Sequence, residues 1–92
     1  MRSDRKEVVF SNHVLTQMVD RGTNQKEIKL AIQQGECIPA KKDRIAFRKN
    51  FSFRSHWKNR YYEDKQVMPI VKQEANKIIV ITVYVFFFGG ER

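Results

Sequence analysis

The sequence predicts an α+β domain in which two N-terminal helices pack on one face of a three- to four-stranded antiparallel sheet. Three observations lead there. Apolar residues recur at helical spacing through the first third of the chain and are punctuated by Gly22 and Gly35. After Gly35 the period moves from 3.6 toward two, and the chain ends in an apolar run, Ile78 to Phe88, rich in β-branched and aromatic residues. A helix pair followed by consecutive strands implies helices segregated to one side of an antiparallel sheet.

Residues 1–6 are charged and expected to be loose, and Glu7 to Phe10 reads either as a short strand or as an apolar lead-in to the first helix. Ser11 or Asn12 caps that helix, with Val14, Leu15, Met18 and Val19 as its stripe and Gly22 as its left-handed stop. The second helix starts at Thr23 or Asn24 with Glu27 in capping-box position, buries Ile28, Ala31 and Ile32, and ends at Gly35. Strands are expected near Glu36–Ala40, Ile45–Lys49, Arg60–Val71 (one strand, or two broken by a turn) and Lys77–Phe88. Pro69 cannot donate to a ladder, so its strand should be an edge or carry a bulge there. Alternation along the last strand sends Ile79, Ile81, Val83 and Val85 toward the helices. It leaves Ile78, Val80, Thr82, Tyr84, Phe86 and Phe88 on the opposite face, as the floor of a ligand site.

Ninety-two residues suit one domain, 1–92. Eighteen Lys and Arg against ten Asp and Glu give a formal charge of +8, a field that draws polyanions. No run reaches the roughly 20 apolar residues of a membrane span. Cys37 is the one cysteine, which excludes an intrachain disulfide framework, and the N-terminal residues lack a signal-peptide core. A cytoplasmic protein is expected, with no membrane partner.

The charge is concentrated. Lys41 to Lys65 holds nine Lys or Arg against three acids, interleaved with Phe47, Phe51, Phe53, Trp57, Tyr61 and Tyr62. Cations that neutralise phosphates beside rings that stack unpaired bases are what a single-stranded RNA site requires. The alternative is that Phe47, Phe51 and Phe53 are core residues and the charges a solvated face. The RNA-binding candidates are Lys41, Lys42, Arg44, Arg54, Trp57, Arg60, Tyr62, Lys65 and Thr82. Arg48 and Lys58, with Arg60 and Lys65, are candidates for neutralising charge that develops when a 2′-hydroxyl attacks the adjacent phosphate. His13, at the start of the first helix, carries the side chain that most readily exchanges a proton near neutrality, although a His near an N-cap is commonly a surface residue. His56 is equally ambiguous. No phosphate-binding glycine loop, Ser-His-Asp set or paired acid cluster is present, and two His and one Cys far apart make a weak metal site, so no cofactor or metal is expected.

Ser11-x-His13, then Met18-x-x-Arg21-Gly22, Gly35-Glu36, and Ile79-Val80-Ile81-Thr82-Val83-Tyr84 together resemble the prokaryotic family called domain of unknown function 4258, over about residues 10–88. That resemblance implies a fold similar to RelE and BrnT toxins, a superfamily that includes metal-independent endoribonucleases held by small antitoxins. It makes His13 and Tyr84 catalytic candidates, with Thr82 beside Tyr84 and Arg21 structural or phosphate-binding. Many relatives have Arg where this chain has Gln17, and any phosphate-binding role of that Arg is weakened here or passes to a residue such as Arg48 or Lys58. The expectation is therefore a RelE-like toxin that cleaves RNA, ribosome-bound mRNA included, without a metal, and is held by a small acidic antitoxin. The rival expectation is a nucleic-acid-binding regulator with no chemistry. A third is an interaction protein whose last strand pairs edge to edge with a partner chain.

Overall fold

The computed structural model describes residues 6–90; the remaining charged N-terminal residues, expected to be loose, lie outside the described residues. Glu7–Phe10 is a strand, β1, followed by helices α1 (Asn12–Arg21) and α2 (Gln25–Gln34) and by strands β2 (Glu36–Pro39), β3 (Arg44–Trp57), β4 (Arg60–Gln73) and β5 (Lys77–Phe88). The five strands form one sheet in the order β1-β5-β4-β3-β2.

Local chemistry starts and stops both helices. The Ser11 hydroxyl accepts from the Val14 N–H, and Gly22, at φ 81°, turns the chain out of α1 while its N–H returns to the Met18 carbonyl. The Asn24 side chain accepts from the Glu27 N–H at the start of α2. Gly35 is required for a different reason: a methyl group there would run into the backbone carbonyls of Ala31 and Arg48, where α2 passes onto the sheet. One core joins the layers, with Val14, Met18 and Ile28 of the helices against Val67, Val71, Val80 and Val83 of β4 and β5. The stripe of α1 is narrower than its sequence suggests, since Leu15 is 40% and Val19 77% exposed.

The sheet corrects the expected RelE-like arrangement of two helices on a three- to four-stranded antiparallel sheet. There are five strands and the sheet is mixed, because β1 lies parallel to β5, with Glu7 opposite Lys77 and Phe10 opposite Val80. Parallel partners need a long connection, and the one between these two encloses nearly the whole chain, so four residues give no local sign of their partner. β3 continues eight residues past the expected Lys49, through Phe51 and Phe53, and β4 is unbroken. The two join at Lys58 and Asn59, both at positive φ (52° and 69°), in a two-residue hairpin turn. This hairpin sets the long dimension of a molecule measuring 46 × 27 × 24 Å.

Of the two alternatives for Pro69, an edge strand or a bulge, the sheet order removes the first, and the faces of β5 change with the second. Pro69 is buried in β4, an interior strand rather than an edge. The nearby irregularity takes the form of a register shift: Ile70 pairs with Thr82 but Val71 with Val80, leaving Ile81 as an extra residue in β5. A one-residue slip exchanges the two faces of a strand. The core group therefore takes Ile78 and Val80 before the bulge and Val83 and Val85 after it, not Ile79 and Ile81. Tyr84, Phe86 and Phe88 remain on the uncovered side and are exposed.

Candidate functional site

Strand register aligns the uncovered face in rows. Glu36 lies opposite Arg48, and Met68 opposite Tyr84. The β3–β4 pairings on either side, Ala46 with Ile70 and Lys49 with Val67, place Arg48 across from Met68 and complete a row over four strands. The next row toward the chain's β3 start is Ile38, Ala46, Ile70 and Thr82, and beyond it Arg44 faces Lys72. In the other direction come Asn50, Gln66 and Phe86, joined by a 3.0 Å bond from the Gln66 amide to Asn50, and then Ser52, Asp64 and Phe88.

A groove of about 370 Å³ opens on this face between Ala40, Lys41, Arg44, Ile70, Thr82 and Tyr84. Here the structure gathers four of the expected site residues: Lys41, Arg44, Thr82 and Tyr84. Arg44 and Lys72 are directly opposite one another, an arrangement of like charges that disfavours the bare sheet. Tyr84 and Phe86 lie nearly parallel, 6.5 Å between ring centroids, and Phe88 is exposed two residues further along the same strand.

Helix α1 completes the site from the side. β1 covers the edge of β5 only from Lys77 to Val80. Beyond that, side chains of α1 take the edge groups: the Ser11 hydroxyl donates to the Ile81 carbonyl, and Arg21 donates to the Val83 carbonyl at 3.1 Å. Gln17 Oε1 accepts from the Val83 N–H (3.0 Å) and from the Thr82 hydroxyl (2.6 Å). The Arg21 guanidinium also lies 5.4 Å from the Tyr84 ring centroid. The sequence implies a structural or phosphate-binding role for Arg21 and marks Gln17 only as a departure from relatives. Its spacing four residues before Arg21 was the available signal. Replacing Gln17 with Ala removes the acceptor for two β5 donors, and unfolding measurements should show a loss of about 1–3 kcal/mol.

The other candidates are placed elsewhere. His13 is exposed, lies about 12 Å from Arg21 along the helix axis, and is not among the residues that line the groove. Arg48 is on the open face but pairs with Glu36 at 3.0 Å across the strands. Lys42 is exposed at positive φ in the turn before β3. Arg54, at φ 46°, occupies the β3 irregularity between Ser52 and Ser55. Lys58 and Arg60 sit at the hairpin tip, on the order of 40 Å from Arg44 at about 3.4 Å per residue. Trp57 and Tyr62 pack against Phe87, with Trp57 nearly parallel to it at 5.2 Å, and are partly buried in that cluster with Phe53. Lys65 is buried, its ammonium 2.8 Å from both Glu27 Oε1 and the Gly22 carbonyl. Tyr61 packs on His56, and both are exposed. Among the described residues no group of three or more His, Cys, Asp or Glu is arranged to hold a metal, and no helix is long and apolar enough to cross a membrane.

Fold and site together define a strand-rich α+β domain with a cationic groove and a column of aromatic side chains on an uncovered mixed sheet. The chain belongs to the family described as domain of unknown function (DUF4258), whose profile matches residues 10–85. No curated protein and no solved structure matches it.

Proposed function

We propose that this protein binds single-stranded RNA in the cytoplasm across the open face of its sheet, with phosphates drawn to Lys41, Arg44 and Lys72 and bases stacked on the β5 rings. The observation that carries this reading is the like-charged pair Arg44–Lys72 beside the groove, at one end of the exposed column Tyr84, Phe86, Phe88. Two adjacent cations are relieved by a polyanion, and exposed rings gain from flat apolar partners; a single-stranded nucleic acid supplies both. A double helix keeps its base faces stacked internally and cannot use the column.

A second reading adds chemistry to the same face. Arg21 over Tyr84, with Arg44 and Lys41 around the groove, supports a metal-independent endoribonuclease of the kind found among RelE and BrnT toxins, with a small acidic antitoxin as partner. In that reaction the 2′-oxygen bonds to phosphorus as the bond to the 5′-oxygen breaks. The 2′ proton is lost, the leaving oxygen gains one, and a 2′,3′-cyclic phosphate remains. The cations stabilise the charge on phosphorus, and Tyr84 and His13 are the candidates for proton transfer.

Labelled RNA, free or ribosome-bound, incubated with the protein in excess chelator separates the readings. Cyclic-phosphate ends from the native protein, lost in Tyr84→Phe, establish cleavage. Intact RNA with salt-sensitive binding leaves the binding protein alone. Absence of both binding and cleavage overturns the proposal.

A further inference from the structure

We infer that Tyr84, Phe86 and Phe88 are three successive base-stacking positions and that Asp64 makes the Phe88 position selective for guanine. This rests on the RNA-binding reading and names what that site prefers.

The three rings are alternate residues of one strand, so they share a face at a rise of about 7 Å per pair. All three remain exposed, at 42, 48 and 41% respectively, whereas Phe87, Trp57, Tyr62 and Phe53 turn into a cluster of their own. The neighbours across the sheet differ from ring to ring. Tyr84 lies opposite Met68, an apolar partner with no strong hydrogen-bonding group. Phe86 lies opposite Gln66, whose amide is tied to Asn50; the linked pair still presents one oxygen and one nitrogen, a combination that every base can satisfy. Phe88 lies opposite Asp64, with Ser52 beyond.

A carboxylate is out of place on a surface that attracts phosphates, since it repels the backbone that the cations draw in. Its use is at a base edge. An ionised carboxylate only accepts hydrogen bonds, and its two oxygens suit two parallel donors. Guanine alone presents two adjacent N–H donors, N1–H and N2–H, along its Watson–Crick edge. Adenine and cytosine place an acceptor next to their amino group, and uracil offers one N–H between two carbonyls; each leaves a carboxylate oxygen facing an acceptor. With a base on Phe88, the residue paired across the strand is Asp64, and a carboxylate at that base edge selects guanine.

Fluorescence anisotropy with labelled hexauridylate, and with hexamers bearing one central guanine, adenine or cytosine, tests the assignment. The guanine oligomer should bind about tenfold tighter than the other three. Asp64→Asn, which keeps shape and fold, should bring all four within about twofold without weakening hexauridylate, and Phe88→Leu should remove the guanine advantage by another route. Equal binding of all four oligomers by the native protein overturns the guanine site and leaves RNA binding intact. Persistence of the preference in Asp64→Asn assigns it to another group and overturns the role of Asp64. Failure to bind any oligomer overturns the RNA reading itself.

Discussion

Replacing Lys41, Arg44 and Lys72 together with glutamine should lower affinity for single-stranded RNA about 100-fold at low salt. It should also reduce the slope of log affinity against log salt by about two. Each phosphate neutralised on a single strand releases about 0.7 of a counterion, so three lost contacts give the change in slope. The loss should be nearly uniform across sequences, because phosphate contacts position the strand and do not read it. Lys41 and Arg44 are exposed and line the groove, and Lys72 stands directly across from Arg44. Removing their mutual repulsion should leave stability unchanged or raise it by about 0.2–1 kcal/mol, so a drop in affinity cannot be attributed to unfolding. The control is Lys58→Gln with Arg60→Gln at the far end of the hairpin, where the loss of two cations should cost no more than about threefold. An equal effect from the two ends would mean that the charge acts as a diffuse field, and unchanged affinity in the triple variant would remove the groove from the interface.

What was legible in the sequence was what neighbours in the chain decide. Ser11, Gly22, Asn24 and Gly35 announce helix ends through contacts only a few residues away, and the structure places both helices between them. Lys77–Phe88 could be bounded because apolar alternation and the preceding Glu74-Ala75-Asn76 are local signals too. The misses depend on distant partners. β1 is specified by β5, seventy residues on. The bulge at Ile81 arises in the pairing of β4 with β5, and since a strand alternates with period two, that one residue was enough to exchange the faces of everything before it.

The site divides in the same way. Tyr84 and Thr82 could be placed on the uncovered face from alternation in the last strand, and the basic run contains Lys41 and Arg44, which the fold brings to the same groove. But the sequence carried no measure of the distances among the nine cations of that run. Extending β3 and β4 into a long hairpin separates them by up to the length of the molecule, and the stacking rings it favoured, Trp57 and Tyr62, are claimed by Phe87. Of the rings left open only Tyr61, packed on His56, lies in the run; Tyr84, Phe86 and Phe88 come from β5, outside it.

Lys65 shows most clearly how a cation in a basic run can belong to the interior. Its side chain is 7% exposed, lies 5.2 Å from the Phe53 ring centroid, and is held by Glu27 and by the carbonyl of Gly22, the residue that ends α1. Glu27 also accepts from the Thr23 hydroxyl at 2.8 Å, so one ammonium and one carboxylate bind the α1–α2 turn to β4. Lys65→Met strands Glu27 with its charge in a partly desolvated place, and urea or thermal unfolding should register a loss of about 3–5 kcal/mol. That is a large share of the roughly 5–15 kcal/mol by which domains are stable. Adding Glu27→Leu should restore most of the loss, because an apolar pair of similar volume does not carry the desolvation cost of a lone charge. Had Lys65 been a phosphate ligand, the single variant would stay folded and lose affinity, and the second substitution would repair nothing. In the buried arrangement the order is reversed. Stability falls first, the end of α1 loosens from β4, and Arg21, one residue before Gly22, loses its position over Tyr84. Any fall in RNA affinity should then track the unfolding of α1 and return with the double variant.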